Sequence, residues 1–184
     1  MRRKPEVPYP QCGRLWRSGV LVYMERDGRY LMLNRGGKLQ NDVDEGRWTG
    51  VGGRKAYREN LIDVMLREVQ STAGVTLTKW RYRGLLEFYY DTKKEECHHY
   101  ERIYLFTATD WEGEINADCP EGTLKWVQKG RLPRMNLRRR DRVFLKLIES
   151  DMKFFHLMLD YSPDGELMDA ALNSKHTPKE PWDV

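Results

Sequence analysis

Apolar positions alternate along the first part of the chain. Val20 to Met24 and Tyr30 to Asn34 are β-prone runs on either side of Asp27-Gly28, a dipeptide suited to a two-residue hairpin. From residue 60 the period lengthens. Ile62, Met65, Leu66, Val69 and Ala73 fall at helical spacing and are expected to face a core. Asn60 is a good N-cap, Asp63 follows three residues later in capping-box position, and Gly74 is placed to supply a left-handed stop. Alternation then returns. Thr76 to Tyr90 reads as one or two strands, with Gly84 as a bulge or a close backbone approach. In the strand Tyr100 to Thr107, Ile103 and Leu105 belong to one face and Tyr104 and Phe106 to the other. Thr123 to Val127 is a short strand. Val143, Phe144, Leu147 and Ile148 define a second amphipathic helix within Asp141 to Ser150. Phe154 to Tyr161 and Leu167 to Leu172 flank Pro163-Asp164-Gly165, which predicts a closing hairpin.

The polar stretches fill in the rest. Gly36 to Gly46 predicts an exposed loop, Arg47 to Val51 a short strand running into the Gly52-Gly53 turn, and Asp91 to Glu96 a charged turn. Leu132-Pro133 stops any extension of the Trp126 strand. The order strands, helix, strands, helix, strands implies an α+β or α/β layered domain, with a mixed sheet between helices. Residues 1–17 read as a basic, proline-bearing lead-in, residues 18–172 as the domain, and residues 173–184 as a tail.

Composition narrows the function classes. The chain has 184 residues, 40% hydrophobic and 33% charged, which suits a globular protein with a real core. Cys12, Cys97 and Cys119 are odd in number and lack C-x-x-C spacing, so a disulfide framework and a zinc knuckle are both disfavoured. No apolar run reaches membrane-spanning length and no signal-peptide pattern opens the chain, so a cytoplasmic location and no membrane partner are expected. A net charge of +4 favours polyanionic ligands without singling out nucleic acid.

The stretch Gly52 to Val75 (GGRKAYRENLIDVMLREVQSTAGV) carries the chemistry. Gly53, Glu59, Arg67, Glu68, Val69, Gly74 and Val75 stand at the spacing G-x5-E-x7-R-E-U-x-E-E-x-G-U, with U aliphatic, and so resemble the Nudix box. Ser71 and Thr72 depart from it, because both positions carry Glu in the family pattern. The flanks EGRWTGVGGRK, GLLEFYY, YERIYLFTA and LKWVQKGRLPRMNL look like those of MutT-type oxidised-purine nucleotide hydrolases. FLKLIESDMKFFHLMLDYSPDG looks like the C-terminal part of bacterial 8-oxo-dGTP diphosphatases.

The resemblance, which spans about Gly19 to Leu172, implies a Nudix-type α/β/α sandwich and a pyrophosphohydrolase. Its reaction would use Mg²⁺ or Mn²⁺ on a nucleoside triphosphate or another diphosphate-linked nucleotide, releasing a nucleoside monophosphate and pyrophosphate in the first case. Three glutamates at i, i+3 and i+4 would share one helix face and one metal cluster. Only Glu68 of the three is present, so weak metal loading and altered activity are expected. Glu59 and Arg67 are expected to orient Glu68. Glu121 is a further candidate ligand, with Asp118 in the same loop before the Trp126 strand and Glu101 at the start of a strand as others. The adjacent His98 and His99 would point to opposite faces of a strand and chelate poorly.

For substrate, Asn136 resembles the purine-reading position and can both donate and accept hydrogen bonds. Arg138 stands where related sequences have Trp, and could stack on a base or bind phosphate. Arg35 and Arg54 are expected near phosphates, with the Gly53 backbone approaching the ligand closely. Asn41 and Asp42 could also line the pocket. Two other readings stay open: a catalytically inactive nucleotide-binding or regulatory domain, favoured by Ser71 and Thr72, and an interaction module using the basic tail and Arg138 to Arg140. A homodimer is compatible with each.

Overall fold

The computed structural model describes residues 16–36, 46–91, 98–150, 152–173 and 175–176. The elements in chain order are β1 (Trp16–Arg26), β2 (Arg29–Arg35), β3 (Trp48–Thr49), β4 (Val51–Arg54), α1 (Leu61–Ala73), β5 (Thr76–Asp91), β6 (His98–Glu112), β7 (Asp118–Cys119) and β8 (Gly122–Gln128). A 3₁₀ turn at Lys129–Arg134, α2 (Arg139–Glu149), β9 (Phe155–Tyr161), β10 (Leu167–Leu172) and β11 (Lys175–His176) complete them.

The strands run in the order β11-β10-β9-β5-β6-β1-β2-β8-β7, with β3 added on β2 and β4 on β1. β1 pairs with β6, and β5 with β9, in parallel; the other pairings are antiparallel. This is the mixed sheet expected from the alternation of strands and helices.

Side-chain alternation along β1 builds two cores, one on each face. Val20, Val22 and Met24 pack with Val64, Met65 and Val69 of α1 and with Phe106 of β6. Leu21 and Tyr23 pack in the second core, with Phe144 and Ile148 of α2 and with Leu86, Phe88, Leu105 and Leu157. Ile103 joins Leu105 in the α2 core and Tyr104 joins Phe106 in the α1 core, as the period of two required.

Local signals explain most boundaries. Asp27 and Gly28 both have positive φ, 51° and 68°, the geometry of a type I′ hairpin turn between Arg26 and Arg29. Asn60 caps α1 by accepting from the Ile62 N–H at 2.9 Å. Gly74, at φ 76°, closes the helix with an N–H bond to the Gln70 carbonyl. Gly84 is both a bulge and a close approach. The β5–β6 register shifts beside it, and a side chain there would press on the Phe155 carbonyl of β9.

The structure corrects four local expectations. Gly52 and Gly53 lie inside β4, not in a turn: they face Leu21 and Val20 of β1 in an antiparallel ladder. Asp118 belongs to the two-residue strand β7 rather than to a loop. Ile62 and Leu66 are only half-buried, while Val64 and Thr72 are fully buried, because the covered stripe of α1 is rotated toward Val64. Trp16 and Arg17 begin β1 alongside Tyr100 and Glu101, so the sheet reaches into the expected lead-in.

Candidate functional site

β4 is the floor from which the site is built. A Cβ on Gly52 would run into the Val20 carbonyl of β1, so the tight β1–β4 pairing needs glycine there. A Cβ on Gly53 would occupy the space of the Glu68 carboxylate. The second glycine therefore lets a side chain of α1 lie directly on the β4 backbone. Lys55 N–H bonds the Ser18 carbonyl at 2.8 Å, and the chain then loops to α1.

Arg67 organises that loop. Its Nε donates to Glu59 Oε1 at 2.8 Å, and Nη2 donates to Glu59 Oε2 at 3.0 Å and to the Arg54 carbonyl at 3.3 Å. Nη1 donates to Glu68 Oε1. Glu59 also accepts the Ala56 N–H at 2.9 Å. The Arg67 bonds, followed by that backbone N–H, hold the Glu59 carboxyl at about 2. The fork of a single guanidinium thus ties the loop to Glu59 and to Glu68.

Further along α1, Ser71 is exposed and Thr72 is 1% exposed. Thr72 Oγ1 lies 3.4 Å from Glu121 Oε2. Glu121 comes from the turn between β7 and β8, which is pinned to the end of β2 by the bond from Gly36 N–H to the Glu121 carbonyl. Glu68 and Glu121 border the same cleft, of about 590 Å³. Arg35, Gly53, Arg54, Glu101 and Arg138 line it too, so seven of the residues singled out from sequence border this cleft. Among the described residues no three His, Cys, Asp or Glu side chains assemble into a metal-binding group.

Other candidates go elsewhere. Asp118 is exposed and accepts from Thr123 Oγ1 at 3.1 Å. Glu101 borders the cleft but is bound to Arg140 Nη1 at 2.5 Å. Asn136 is outside the cleft lining. Its Nδ2 donates to the Gly46 carbonyl at 3.2 Å and its own carbonyl accepts the Trp48 N–H at 2.9 Å. Asn41, Asp42, Cys12 and Cys97 lie outside the described residues.

The far end of the cleft was not foreseen. Leu86 and Phe88 of β5, Ile103 of β6 and Phe144 of α2 make an apolar wall, and Asp141 stands beside it at 4% exposure. Burial pushes the Asp141 carboxyl up, with nearby Arg140 and Arg138 pulling the other way. Arg140 Nε is 3.5 Å from Asp141 Oδ1, an ion-pair distance. The sequence held a signal for this residue. Asp141, Phe144, Leu145 and Ile148 share one helical face, so an acid stands at a core position. Chemically, the cleft offers the carboxylates of Glu68 and Glu121 beside those of Glu101 and Asp141, which are tied to Arg140, together with arginines for an anion and an apolar and aromatic wall for a flat base.

Comparison with known proteins gives a consistent result. The NUDIX domain family model matches residues 15–148. The uncharacterized Nudix hydrolase YvcI of Bacillus subtilis is 21% identical over 155 residues, covering 83% of this chain and 92% of the relative. The MutT protein structure from Bacillus halodurans superposes with a TM-score of 0.73 at 20% identity, over 86% of this chain and 99% of that one. The MutT NUDIX hydrolase from Burkholderia pseudomallei does so with a TM-score of 0.56 at 23% identity, over 71% and 96%.

Proposed function

The chain belongs to the NUDIX domain family, and from that premise we propose that it hydrolyses the diphosphate linkage of a nucleotide. Nucleoside triphosphates of the 8-oxo-dGTP type are the first substrates to consider, with turnover below that of a site holding three helix carboxylates. The observation that carries this reading is the meeting of Glu68 from α1 and Glu121 from the β7–β8 turn at one arginine-lined cleft.

Two carboxylates fit a single hard cation. Mg²⁺ keeps several waters and takes one or two protein carboxylates together with substrate phosphate oxygens. Glu68 and Glu121 would hold Mg²⁺ or Mn²⁺, and the ion would supply charge neutralisation and a more acidic water. The other roles belong to the chain's own side chains. Arg67, itself held by Glu59, keeps Glu68 on the Gly53 backbone. Arg35 and Arg54 bind phosphate oxygens. The Phe88 and Phe144 wall receives the base, and Arg138 closes over it. Asn136 acts one step back, holding the Gly46–Trp48 segment beside the cleft. Nucleotide substrates suit a cytoplasmic protein.

A second reading, a nucleotide-binding protein without turnover, draws on Ser71 and Thr72. Two neutral hydroxyls cannot replace two negative charges around a divalent ion. The test is a panel of nucleoside triphosphates and diphosphate-linked nucleotides with Mg²⁺ and with Mn²⁺, run on the protein and on Glu68→Gln. Turnover that disappears in Glu68→Gln supports the hydrolase. Tight binding with no turnover in either protein leaves the binding domain.

A further inference from the structure

A second cleft, of about 570 Å³, adjoins the first. The two share Arg17, Glu101, Arg138 and Arg140 as a common wall. Beyond that wall the second cleft adds Arg47, from the segment before β3, and Arg139, from the first turn of α2. Five arginines and one acid, Glu101, therefore line it, in a chain whose net charge is only +4. Its apolar side is the stacked pair Tyr90 and Tyr161, with ring centroids 5.4 Å apart and planes 13° apart.

The cationic side of this cleft is built, not merely exposed. The Arg140 side chain is 12% exposed, bound to Glu101 and Tyr90, and its guanidinium lies 4.3 Å above the Phe88 ring of the first cleft. It is a held charge that borders both cavities. Arg47, Arg138 and Arg139 also have partners within the chain. A guanidinium carries five N–H donors, so a partnered arginine keeps donors for a ligand. Phosphate oxygens accept such donors in bidentate pairs.

We propose that the second cleft binds a further phosphate group carried by the substrate, beyond the diphosphate linkage handled beside Glu68. This rests on the reading of the first cleft as a nucleotide site. Two substrate types share this chemistry: a nucleoside triphosphate with an additional 3′-phosphate, and two nucleosides joined by a longer polyphosphate. In both, one molecule spans the shared arginine wall.

The test measures binding of three probes to the full chain by equilibrium titration at fixed ionic strength: a nucleoside 5′-triphosphate, its 3′-phosphorylated form, and a dinucleoside tetraphosphate. The variants are Arg47→Glu and Arg139→Glu, which border only the second cleft, with Arg139→Gln as a milder change should a reversal unfold the chain. At least one extended probe is expected to bind about tenfold more tightly than the triphosphate, the scale of one charge-assisted hydrogen bond. Each variant is expected to lose that gain and to keep triphosphate affinity within about twofold. Whichever probe shows the gain identifies where the extra phosphate sits. Equal affinity for all three probes, or a gain that survives the substitutions, overturns the proposal even if the triphosphate is hydrolysed. A gain that behaves as expected without hydrolysis of any probe supports the second cleft and removes the hydrolase reading instead.

Discussion

Thr72 of α1 meets Glu121 of the β7–β8 turn at 3.4 Å, deep enough that Thr72 is only 1% exposed. The helix presents a neutral hydroxyl at the place where a carboxylate from another element arrives. Thr72→Glu would set two acids side by side with little water between them. Without a divalent ion this repulsion is expected to cost on the order of 2 kcal/mol, lowering Tm by roughly 4–8 °C. With Mg²⁺ at about 100 times its dissociation constant, binding to the folded state adds about 2.7 kcal/mol. Thermal melts with Mg²⁺ and with EDTA should therefore diverge more in Thr72→Glu than in the parent. Ser71→Glu, at an exposed position, is expected to add metal affinity with little loss of stability. If melting of Thr72→Glu ignores Mg²⁺, Thr72 does not face the ion.

The two adjacent glycines of β4 separate folding from function. Gly52→Ala drives a methyl into the Val20 carbonyl, which is β1 backbone and cannot rotate away. The expected cost is about 3 kcal/mol, read from urea midpoints. Gly53→Ala drives the methyl into the Glu68 carboxylate, a side chain that can swing off. Its expected signature is a smaller stability loss with turnover down about 100-fold or more. Equal stability losses with equal residual activity would mean that Glu68 is not seated on Gly53.

Legibility in the sequence followed the range of the forces involved. Asp27-Gly28, Asn60 and Gly74 act within a few residues, and each does in the structure what its side chain or backbone freedom requires. The opposite facing of Ile103 and Phe106 needs only the pleat of a strand. Gly53, Glu68, Arg35, Arg54, Arg138 and Glu121, singled out through the box and its flanks, border one cleft. The apolar spacing of α2 does not by itself mark Asp141, although the acid occupies the same face. A glycine pair marks a turn locally, whereas Gly52 and Gly53 mark the close approach of β1 and α1, which only tertiary structure reveals. Asn136 lies next to the right segment but bonds Gly46, a distant partner that spacing does not disclose.

Arg67 ties Glu59 to Glu68 through one fork, and its removal has a spectroscopic signature. The folded Glu59 carboxyl titrates at about 2 against an ordinary 4.5. The interaction contributes stability above the unfolded value, and that contribution is lost as pH falls from about 4.5 toward 2. In Arg67→Gln the Glu59 carboxyl resonance, followed by NMR, is expected to move back toward the ordinary range. Turnover should fall in the same variant, since Glu68 loses its anchor. An unmoved Glu59 titration would show that the Ala56 N–H, not Arg67, sets it.

Asp141 reverses that sign. It sits at 4% exposure on the α2 face that carries Phe144, Leu145 and Ile148, and burial raises its folded pKa above the ordinary 3.8. The folded state then holds the proton more tightly than the unfolded state. Its contribution to stability is full below 3.8 and is lost as pH rises through the raised value. Asp141→Asn keeps the shape and removes the ionisation. Measured against the parent by urea midpoints across the acid to neutral range, the variant is expected to gain relative stability as pH rises, with the change centred above 3.8. The Arg140 ion pair works against this, since it favours the ionised carboxylate at 3.5 Å. If the variant instead loses relative stability toward neutral pH, the pair with Arg140 outweighs desolvation and Asp141 faces the cleft as an anion.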